Sequence, residues 1–272
     1  MSYKYLLLLI VPVTLFSCKK EKETPNIPPD PVVPAVLLKD IVIPNLPSPY
    51  YHFEYDMAGK VKFVSFASEL TRYDVVYTQG RITEMRNNIL VNKDRLQYSY
   101  DNEGRVFLIQ YADSMGIVFA RSFFTYDEQH LIKAERHHKT AGGFIIDRTM
   151  TMQYYADDNL QQLTYHLPPI DGQAESTSTI RFEQYDNKIN VDGFDLLHPD
   201  FFEHLFLLPG VQLQKNNPGR ETLTGDGTNY QVDYTYTYNE NNAPLTKTGD
   251  VIITSGPVTG EKFKTNSIYT YY

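Results

Sequence analysis

Residues 53–61 read Phe-Glu-Tyr-Asp-Met-Ala-Gly-Lys-Val, and this phrase recurs along the chain. It returns at residues 98–106 as Tyr-Ser-Tyr-Asp-Asn-Glu-Gly-Arg-Val, and a shortened copy occupies residues 77–82. Degenerate copies begin at Tyr126, Tyr154, Tyr185 and Tyr238. The first two intervals between leading tyrosines are 22 and 23 residues, and the later intervals are longer. Such a period indicates a structural repeat into which loops have been inserted.

The phrase has the chemistry of a tight turn between two β-strands. An Asp side chain accepts the backbone N–H two residues further on, and Gly supplies the positive φ that a hairpin turn with a bulge needs. The flanking residues alternate with period two: Tyr230, Val232 and Tyr234 share one face, while Gln231 and Asp233 share the other. The repeat therefore predicts consecutive antiparallel hairpins with one polar face.

Two functional interpretations of the repeat compete with this structural one. The carboxylates of the turns could bind calcium, although no stretch has the dense Asp-x-Asp-x-Asp-Gly spacing of a calcium loop. The tyrosines could form sugar-stacking platforms, but their strict alternation is better explained by packing on a sheet face. We therefore expect the acidic residues of the phrase to start turns; they are Asp56, Asp101, Asp127 and Asp186.

The phrase also resembles a known repeat. Tyr55-Asp56-x-x-Gly59-Lys60 and Tyr100-Asp101-x-x-Gly104-Arg105 are similar to YD (RHS-type) repeats. Within that group, the chain resembles Bacteroidota lipoproteins of unknown function that carry degenerate copies of this repeat; the resemblance covers about residues 37–272 and the leader. The resemblance implies a β-rich fold and a periplasmic or cell-surface setting, without an established reaction. Large RHS shells enclose a cargo with many repeats, and about seven copies are too few for that role.

The N-terminus resembles that of a bacterial lipoprotein. Residues 1–17 have the pattern of a signal peptide, with Lys4 before a short apolar run. The run ends in Leu-Phe-Ser before Cys18, which is similar to a lipobox, although Phe16 departs from its usual pattern. The resemblance implies that Cys18 is lipidated and anchors the protein to the outer membrane; an ordinary secretory signal is the alternative. Residues 18–36 are charged and Pro-rich, as in a tether.

Composition excludes several classes of function. The 25 Lys and Arg against 33 Asp and Glu leave a net charge of −8, which argues against nucleic acid as a partner. A single cysteine excludes an internal disulfide framework and a multi-cysteine metal site. The sequence contains no Gly-x-Ser-x-Gly elbow, P-loop or dinucleotide fingerprint, and it predicts no cofactor.

Residues 194–209 interrupt the alternation and predict a short helical insertion that plugs the concave side of the sheet. The insertion contains a metal-like cluster, but its spacing matches no zinc-protease signature; the cluster comprises His198, Asp200, Glu203 and His204. His137 and His138 are adjacent on an expected strand, where neighbouring side chains point in opposite directions. We therefore predict no metal site.

The sequence predicts one all-β domain over residues 37–272, a single long twisted antiparallel sheet of β-hairpin repeats curled into an open half-barrel or solenoid. A strand near Val36–Val42 would open the sheet, and Ser267–Tyr272 would form its last edge. We expect a non-catalytic binding or scaffold protein of the cell envelope with an unknown protein or glycan partner. A glycan-binding accessory protein and a carboxylate-dependent hydrolase are the alternatives.

Overall fold

The computed structural model describes residues 36–89, 93–128, 130–170, 172–197 and 206–272. The expected signal peptide and all but the last residue of the expected tether therefore lie outside the described residues. The strands are β1 Leu38–Val42, β2 Tyr51–Tyr55, β3 Val61–Phe66, β4 Thr71–Thr78, β5 Arg81–Asn87, β6 Arg95–Tyr100, β7 Val106–Ala112, β8 Val118–Tyr126, β9 Leu131–Thr140, β10 Gly143–Tyr154, β11 Leu160–Leu167, β12 Ser176–Glu183, β13 Arg220–Gly225, β14 Asn229–Tyr238, β15 Pro244–Ser255 and β16 Lys262–Tyr271. No helix in the described part of the chain combines the length and hydropathy that crossing a membrane requires.

The strands form one closed antiparallel barrel in which every strand pairs with its neighbours in sequence. The prediction of an all-β hairpin fold is confirmed, whereas the prediction of an open half-barrel or solenoid is wrong. Closure comes from β1, whose Asp40 and Val42 lie opposite Thr270 and Ile268 of β16. The expected edge at Ser267–Tyr272 is thus mostly paired. Closing the sheet pairs β1 with the C-terminal part of β16, whose backbone groups would otherwise lack partners along those edges.

The antiparallel order places alternate turns at opposite ends of the barrel. The turns that carry the repeated phrase, after β2, β4, β6, β8, β10 and β14, share one end, which we name the tyrosine rim. The turns after the odd-numbered strands form the other end, the far rim. Because the number of strands is even, β1 begins and β16 ends at the tyrosine rim. The described N-terminal and C-terminal residues therefore lie at the same end of the barrel.

The inner and outer faces of the barrel differ sharply in polarity. Buried inner-face residues such as Val64, Leu96 and Leu163 are fully enclosed. On the outer face of β5, Glu84 pairs with Arg86 at 2.5 Å and with Arg95 of β6 at 3.7 Å. The hydrophobic core thus lies inside the barrel, and these charged pairs lie on its outer face. A barrel that spans a bilayer has the opposite arrangement, with an apolar band facing the lipid.

The connection between β12 and β13 is described over residues 184–197 and 206–219, which we name the inner segment. Its aromatic side chains Phe194 and Phe206 pack inside the barrel. The ring of Phe194 packs against Tyr51 and Phe53 of β2, at centroid distances of 5.2 and 5.0 Å. Phe206 is 4% exposed and lies 5.8 Å from the ring of Phe124. The insertion therefore contributes to the core, as a plug would.

The helical conformation predicted for residues 194–209 is not found where the chain is described. A single 3-10 turn spans Gly193–Leu196, and residues 206–208 have no helical structure. Residues 198–205 lie outside the described residues. The hydroxyl of Tyr98 donates to the carbonyl of Leu207 at 2.9 Å and accepts its N–H at 3.2 Å. The barrel wall thus satisfies backbone groups that a helix would have paired internally.

Candidate functional site

The acidic residues of the repeat start turns, as the sequence predicts. Asp56 Oδ1 accepts the backbone N–H groups of Ala58 at 2.8 Å and Lys60 at 2.9 Å. Asp101 Oδ1 accepts the N–H of Arg105 at 2.8 Å, and its Oδ2 accepts Arg105 Nε at 2.9 Å. Partial burial acts to raise the pKa of Asp101, but the backbone and guanidinium groups of Arg105 outweigh it and hold the pKa below its ordinary value. These carboxylates are occupied by the turn itself.

Asp127 and Asp186 play related parts at less regular turns. Asp127 Oδ1 accepts the N–H of His130 at 2.6 Å. Asp186 Oδ1 accepts the N–H groups of Lys188 at 2.9 Å and of Asn217 at 3.1 Å, and so fastens the two ends of the inner segment together. Each carboxylate therefore has a structural partner, and these residues do not converge on one site.

Seven tyrosines at or near the ends of even-numbered strands have a structural role of their own. Each hydroxyl donates to the carbonyl of a residue at or near the start of the preceding strand, at distances of 2.5 to 2.9 Å. We name this set the tyrosine ladder; its donor and acceptor residues are Tyr55 and Leu38, Tyr77 and Val61, Tyr100 and Ile82, Tyr126 and Val106, Tyr154 and Leu131, Tyr185 and Leu160, and Tyr271 and Pro244. Tyr238, which precedes the turn after β14, donates instead to the Asp186 carboxylate. The ladder joins neighbouring hairpins along the tyrosine rim.

The basic residue of the phrase completes the same contact. Arg81 lies over the ring of Tyr100 at 5.4 Å, and Arg105 lies over the ring of Tyr126 at 4.9 Å. Each cation thus makes a favourable cation–π contact with a tyrosine ring from the next hairpin. Among the described tyrosines, Tyr272 alone ranks with the exposed large side chains. The row of exposed rings that a sugar-stacking platform needs is therefore not found in the described ranges.

A small pocket of about 210 Å³ lies at the tyrosine rim, between the turn after β6 and residues 209–212 of the inner segment. Its charged wall residue Arg105 contacts Asp101 and Glu103, both at 2.9 Å, and donates to the carbonyl of Asp127 at 3.0 Å. The volume is below the roughly 300 Å³ at which ligand pockets begin. The internal partners of Arg105 further favour a structural pocket.

A polar cluster occupies the inner wall toward the far rim. Asp147 Oδ2 lies 3.1 Å from His138 Nδ1 and 3.6 Å from Arg136 Nε, while its Oδ1 is buried without a hydrogen-bond partner among the described residues. The neighbouring hydroxyls of Tyr111 and Ser122 contact each other at 3.3 Å. Burial raises the pKa of Tyr111 well above its ordinary value. Ser122 is engaged with Tyr111, so the cluster holds a paired carboxylate rather than an activated nucleophile.

Glu221 on the inner wall and Asp192 on the inner segment are also bound to donors. Both oxygens of Glu221 accept hydroxyl groups, from Tyr230 at 2.8 Å and from Tyr234 at 2.9 Å. Asp192 Oδ2 accepts the hydroxyl of Tyr269 at 2.6 Å and lies 3.8 Å from Lys247 Nζ. The hydrolase alternative needs two carboxylates facing each other across a cleft. These carboxylates face tyrosine and lysine instead.

The remaining sequence predictions concern the histidine pair, the metal-like cluster and Cys18, and only the first lies within the described residues. His137 and His138 do point to opposite faces: the His137 ring lies 4.8 Å from Phe123, while His138 faces Asp147 across the inner wall. The cluster at His198, Asp200, Glu203 and His204 lies outside the described residues, as does Cys18. Within the described ranges, no group of three or more His, Cys, Asp or Glu side chains could hold a metal ion.

Sequence reasoning missed an open strand edge at the far rim. β1 pairs with β16 only from Ile268 onward, so residues 262–267 of β16 pair with β15 alone. If the register continued two residues past Val42, Pro44 would lie opposite Asn266 and would have to donate an N–H to it. Because proline has no N–H, the β1 ladder ends there. The proline and the length of β16 could together have indicated this edge.

Comparisons with known proteins agree with the barrel architecture. No protein-family model matches the sequence, and no curated protein matches it. A porin-like protein from Bacteroides uniformis shares the fold with a TM-score of 0.55 and 14% identity, over 82% of this chain and 89% of that chain. A porin-like protein from Bacteroides vulgatus aligns with a TM-score of 0.54 and 13% identity, over 86% and 98% of the two chains. At these identities the likeness shows the fold: the chain is an antiparallel β-barrel similar to those of the porin-like proteins.

Proposed function

We propose that this protein is a lipid-anchored, non-catalytic binding or scaffold protein of the cell envelope, whose barrel lies outside the bilayer. The observation that carries the proposal is the polarity of the barrel. Charged pairs such as Arg220 with Asp233, 2.6 Å apart, lie on the outer face, and the hydrophobic core lies inside the barrel. The fold is similar to that of porin-like proteins, but these two faces suit neither contact with lipid nor an open aqueous pore.

The position of the chain ends supports attachment at one end of the barrel. Leu38 begins β1 at the tyrosine rim, so the chain enters the barrel at that rim. A lipid on Cys18 and a Pro-rich tether would then hold the tyrosine rim toward the membrane and present the far rim to the aqueous side. Thioether and amide-linked acyl chains at one residue give durable anchoring, at about 0.8 kcal/mol per buried methylene.

Fractionation of cells that express the wild type and the Cys18→Ala variant tests the proposal. We expect the wild type in the outer-membrane fraction and the folded variant in the soluble fraction. Ser17→Ala is the matched control, because it keeps a small residue before the cysteine and should remain membrane-bound. A Cys18→Ala barrel that stays in the membrane after an alkaline wash would overturn the proposal. Protease treatment of intact cells then assigns the wild type to the cell surface or the periplasm.

A further inference from the structure

The open edge of β16 presents backbone groups in a defined pattern. The N–H of Tyr272 donates to the carbonyl of Leu37, while the carbonyl of Glu261 accepts the N–H of Ile253 in β15. In an antiparallel strand both groups of a residue point to the same side, and the side alternates along the chain. The even-numbered residues therefore face the β1 side. Lys262, Lys264 and Asn266 consequently direct three N–H and three C=O groups away from the sheet.

The side chains along this edge alternate between two chemical characters. Lys262 and Lys264 lie on the outer face, opposite Ile252 and Asp250 of β15. Lys264 pairs with Asp250, whereas no described acidic group pairs with Lys262. On the inner face, Phe263 is 51% exposed over the mouth of the barrel. The edge is thus basic outside and aromatic inside.

We propose that this edge binds an extended acidic peptide segment by β-strand addition, antiparallel to β16 and collinear with β1. The incoming strand would place acidic residues opposite Lys262 and Lys264, and apolar residues opposite Phe263 and Thr265. Exposed main-chain groups supply the affinity in this mode of recognition, and alternate side chains supply the specificity. A second copy of the chain fits less well, because two such edges would bring lysines against lysines. The inference deepens the proposed binding function and rests on it.

The alternative explanation of the edge lysines involves no ligand: lysines on exposed edge strands commonly prevent aggregation. In that role the lysines only repel the edges of other molecules, whereas strand addition predicts that a peptide binds to this edge. The two are separated by measuring the free and the peptide-bound protein. In the free protein, the amides of Lys262, Lys264 and Asn266 should exchange quickly with solvent, while those of Phe263 and Thr265 should be protected by β15.

The binding test uses the detergent-purified full chain and a labelled peptide containing Thr-Val-Glu-Val-Glu, with flanking serines. In the proposed register its two glutamates lie opposite Lys264 and Lys262. We expect binding by fluorescence anisotropy and new amide protection confined to Lys262, Lys264 and Asn266. N-methylation of the central Glu should weaken binding by at least about tenfold, because it removes a main-chain donor and blocks close approach. The peptide Thr-Val-Lys-Val-Lys should not bind.

Two protein variants locate the contact. Lys264→Pro removes one edge N–H without removing a bond to β15, and proline is tolerated on edge strands. It should weaken peptide binding by about tenfold or more while leaving the melting temperature nearly unchanged. Lys262→Glu should also abolish binding. It provides the same test if the Lys264→Pro variant does not fold. Lys139→Glu, an equally charged change on β9, is the matched control and should bind the peptide normally.

Several outcomes would overturn the inference. These are edge amides already protected in the free protein, equal binding of the N-methylated peptide, no binding of the acidic peptide, and concentration-dependent dimers that Lys264→Pro dissociates. The last result would assign the edge to a second copy. Loss of the edge interaction leaves the anchored-barrel proposal standing if Cys18→Ala still releases the barrel from the membrane. Retention of Cys18→Ala in the membrane would instead refute the proposed function.

Discussion

Removing one hydroxyl of the tyrosine ladder should measurably weaken the barrel. Tyr100→Phe deletes the donor that reaches the carbonyl of Ile82 at 2.7 Å and keeps the ring beneath Arg81. The lost hydrogen bond and the partly buried carbonyl left without its partner together cost about 1–2 kcal/mol of the free energy of unfolding. A domain of this size loses about 2–4 °C in melting temperature per kcal/mol, so a cost of about 1.5 kcal/mol lowers it by about 3–6 °C.

Urea unfolding followed by circular dichroism measures this change, and thermal unfolding provides a second reading. Tyr272→Phe is the matched control, since Tyr272 donates to the carbonyl of Phe53 at 3.0 Å but is 64% exposed. Water replaces the lost partner there, so its cost should be only a few tenths of a kcal/mol. Equal effects of the two substitutions would refute the structural role assigned to the ladder.

Three further perturbations test separate parts of the fold. Burial raises the pKa of the ladder tyrosine Tyr55 to about 12. Because the fold favours the neutral phenol, its contribution to the free energy of unfolding is fully present below pH 10 and is lost as the pH rises toward 12. Tyrosinate absorbance and unfolding should therefore change together over this pH range. Tyrosinate that forms near pH 10 in a barrel with unchanged circular dichroism would contradict this. Gly249→Ala places a Cβ 2.6 Å from Val232 and should cost about 1–3 kcal/mol in urea unfolding, whereas Gly142→Ala, which meets only Thr140 at 3.8 Å, should cost less than about 1 kcal/mol. Phe206→Asp should cost at least about 4 kcal/mol because it buries a charge, and an unchanged melting temperature would show that the inner segment is not part of the core.

Local features of the barrel could be predicted from the sequence. The carboxylate, the glycine and the period-two flanks of residues 53–61 each act within a few residues, so the pattern predicts hairpin, turn and inner face together. Gly59 and Gly104 have φ of 76° and 83°, as the turn requires. The pattern does not predict the contact between a ladder tyrosine and the preceding strand, although the basic residue and the tyrosine recur at the spacing that joins them.

Closure and the path of the inner segment depend on contacts that no local pattern encodes. Thr270 meets Asp40 across nearly the whole chain, and the number and tilt of the intervening strands decide whether that meeting occurs. The apolar run around Phe206 satisfies a helical pattern and a buried extended segment equally well. At Leu207 the hydroxyl of Tyr98 satisfies the backbone, which the sequence around residues 194–209 cannot reveal.

The open edge of β16 illustrates the limits of reading strands one at a time. Residues 262–267 alternate as an ordinary strand does and pair with β15, and only the early end of β1 at Val42 leaves them without a second neighbouring strand. An edge is a property of two strands and their relative lengths. The candidate binding surface therefore emerges only from the assembled barrel, whereas the turn carboxylates could be assigned from sequence.

A disulfide across the barrel seam tests closure most directly. Asp40 and Thr270 lie opposite each other, with Thr270 Oγ1 donating to Asp40 Oδ2 at 3.0 Å. In a Cys18→Ala background, which has no other cysteine, the double variant Asp40→Cys with Thr270→Cys should form an intramolecular disulfide under mild oxidation. The control pair Asp40→Cys with Asn266→Cys should stay reduced, because Asn266 lies on the part of β16 that precedes its pairing with β1 and is too far from Asp40. A folded Asp40→Cys, Thr270→Cys variant that forms no disulfide would contradict the closed barrel and restore the open sheet.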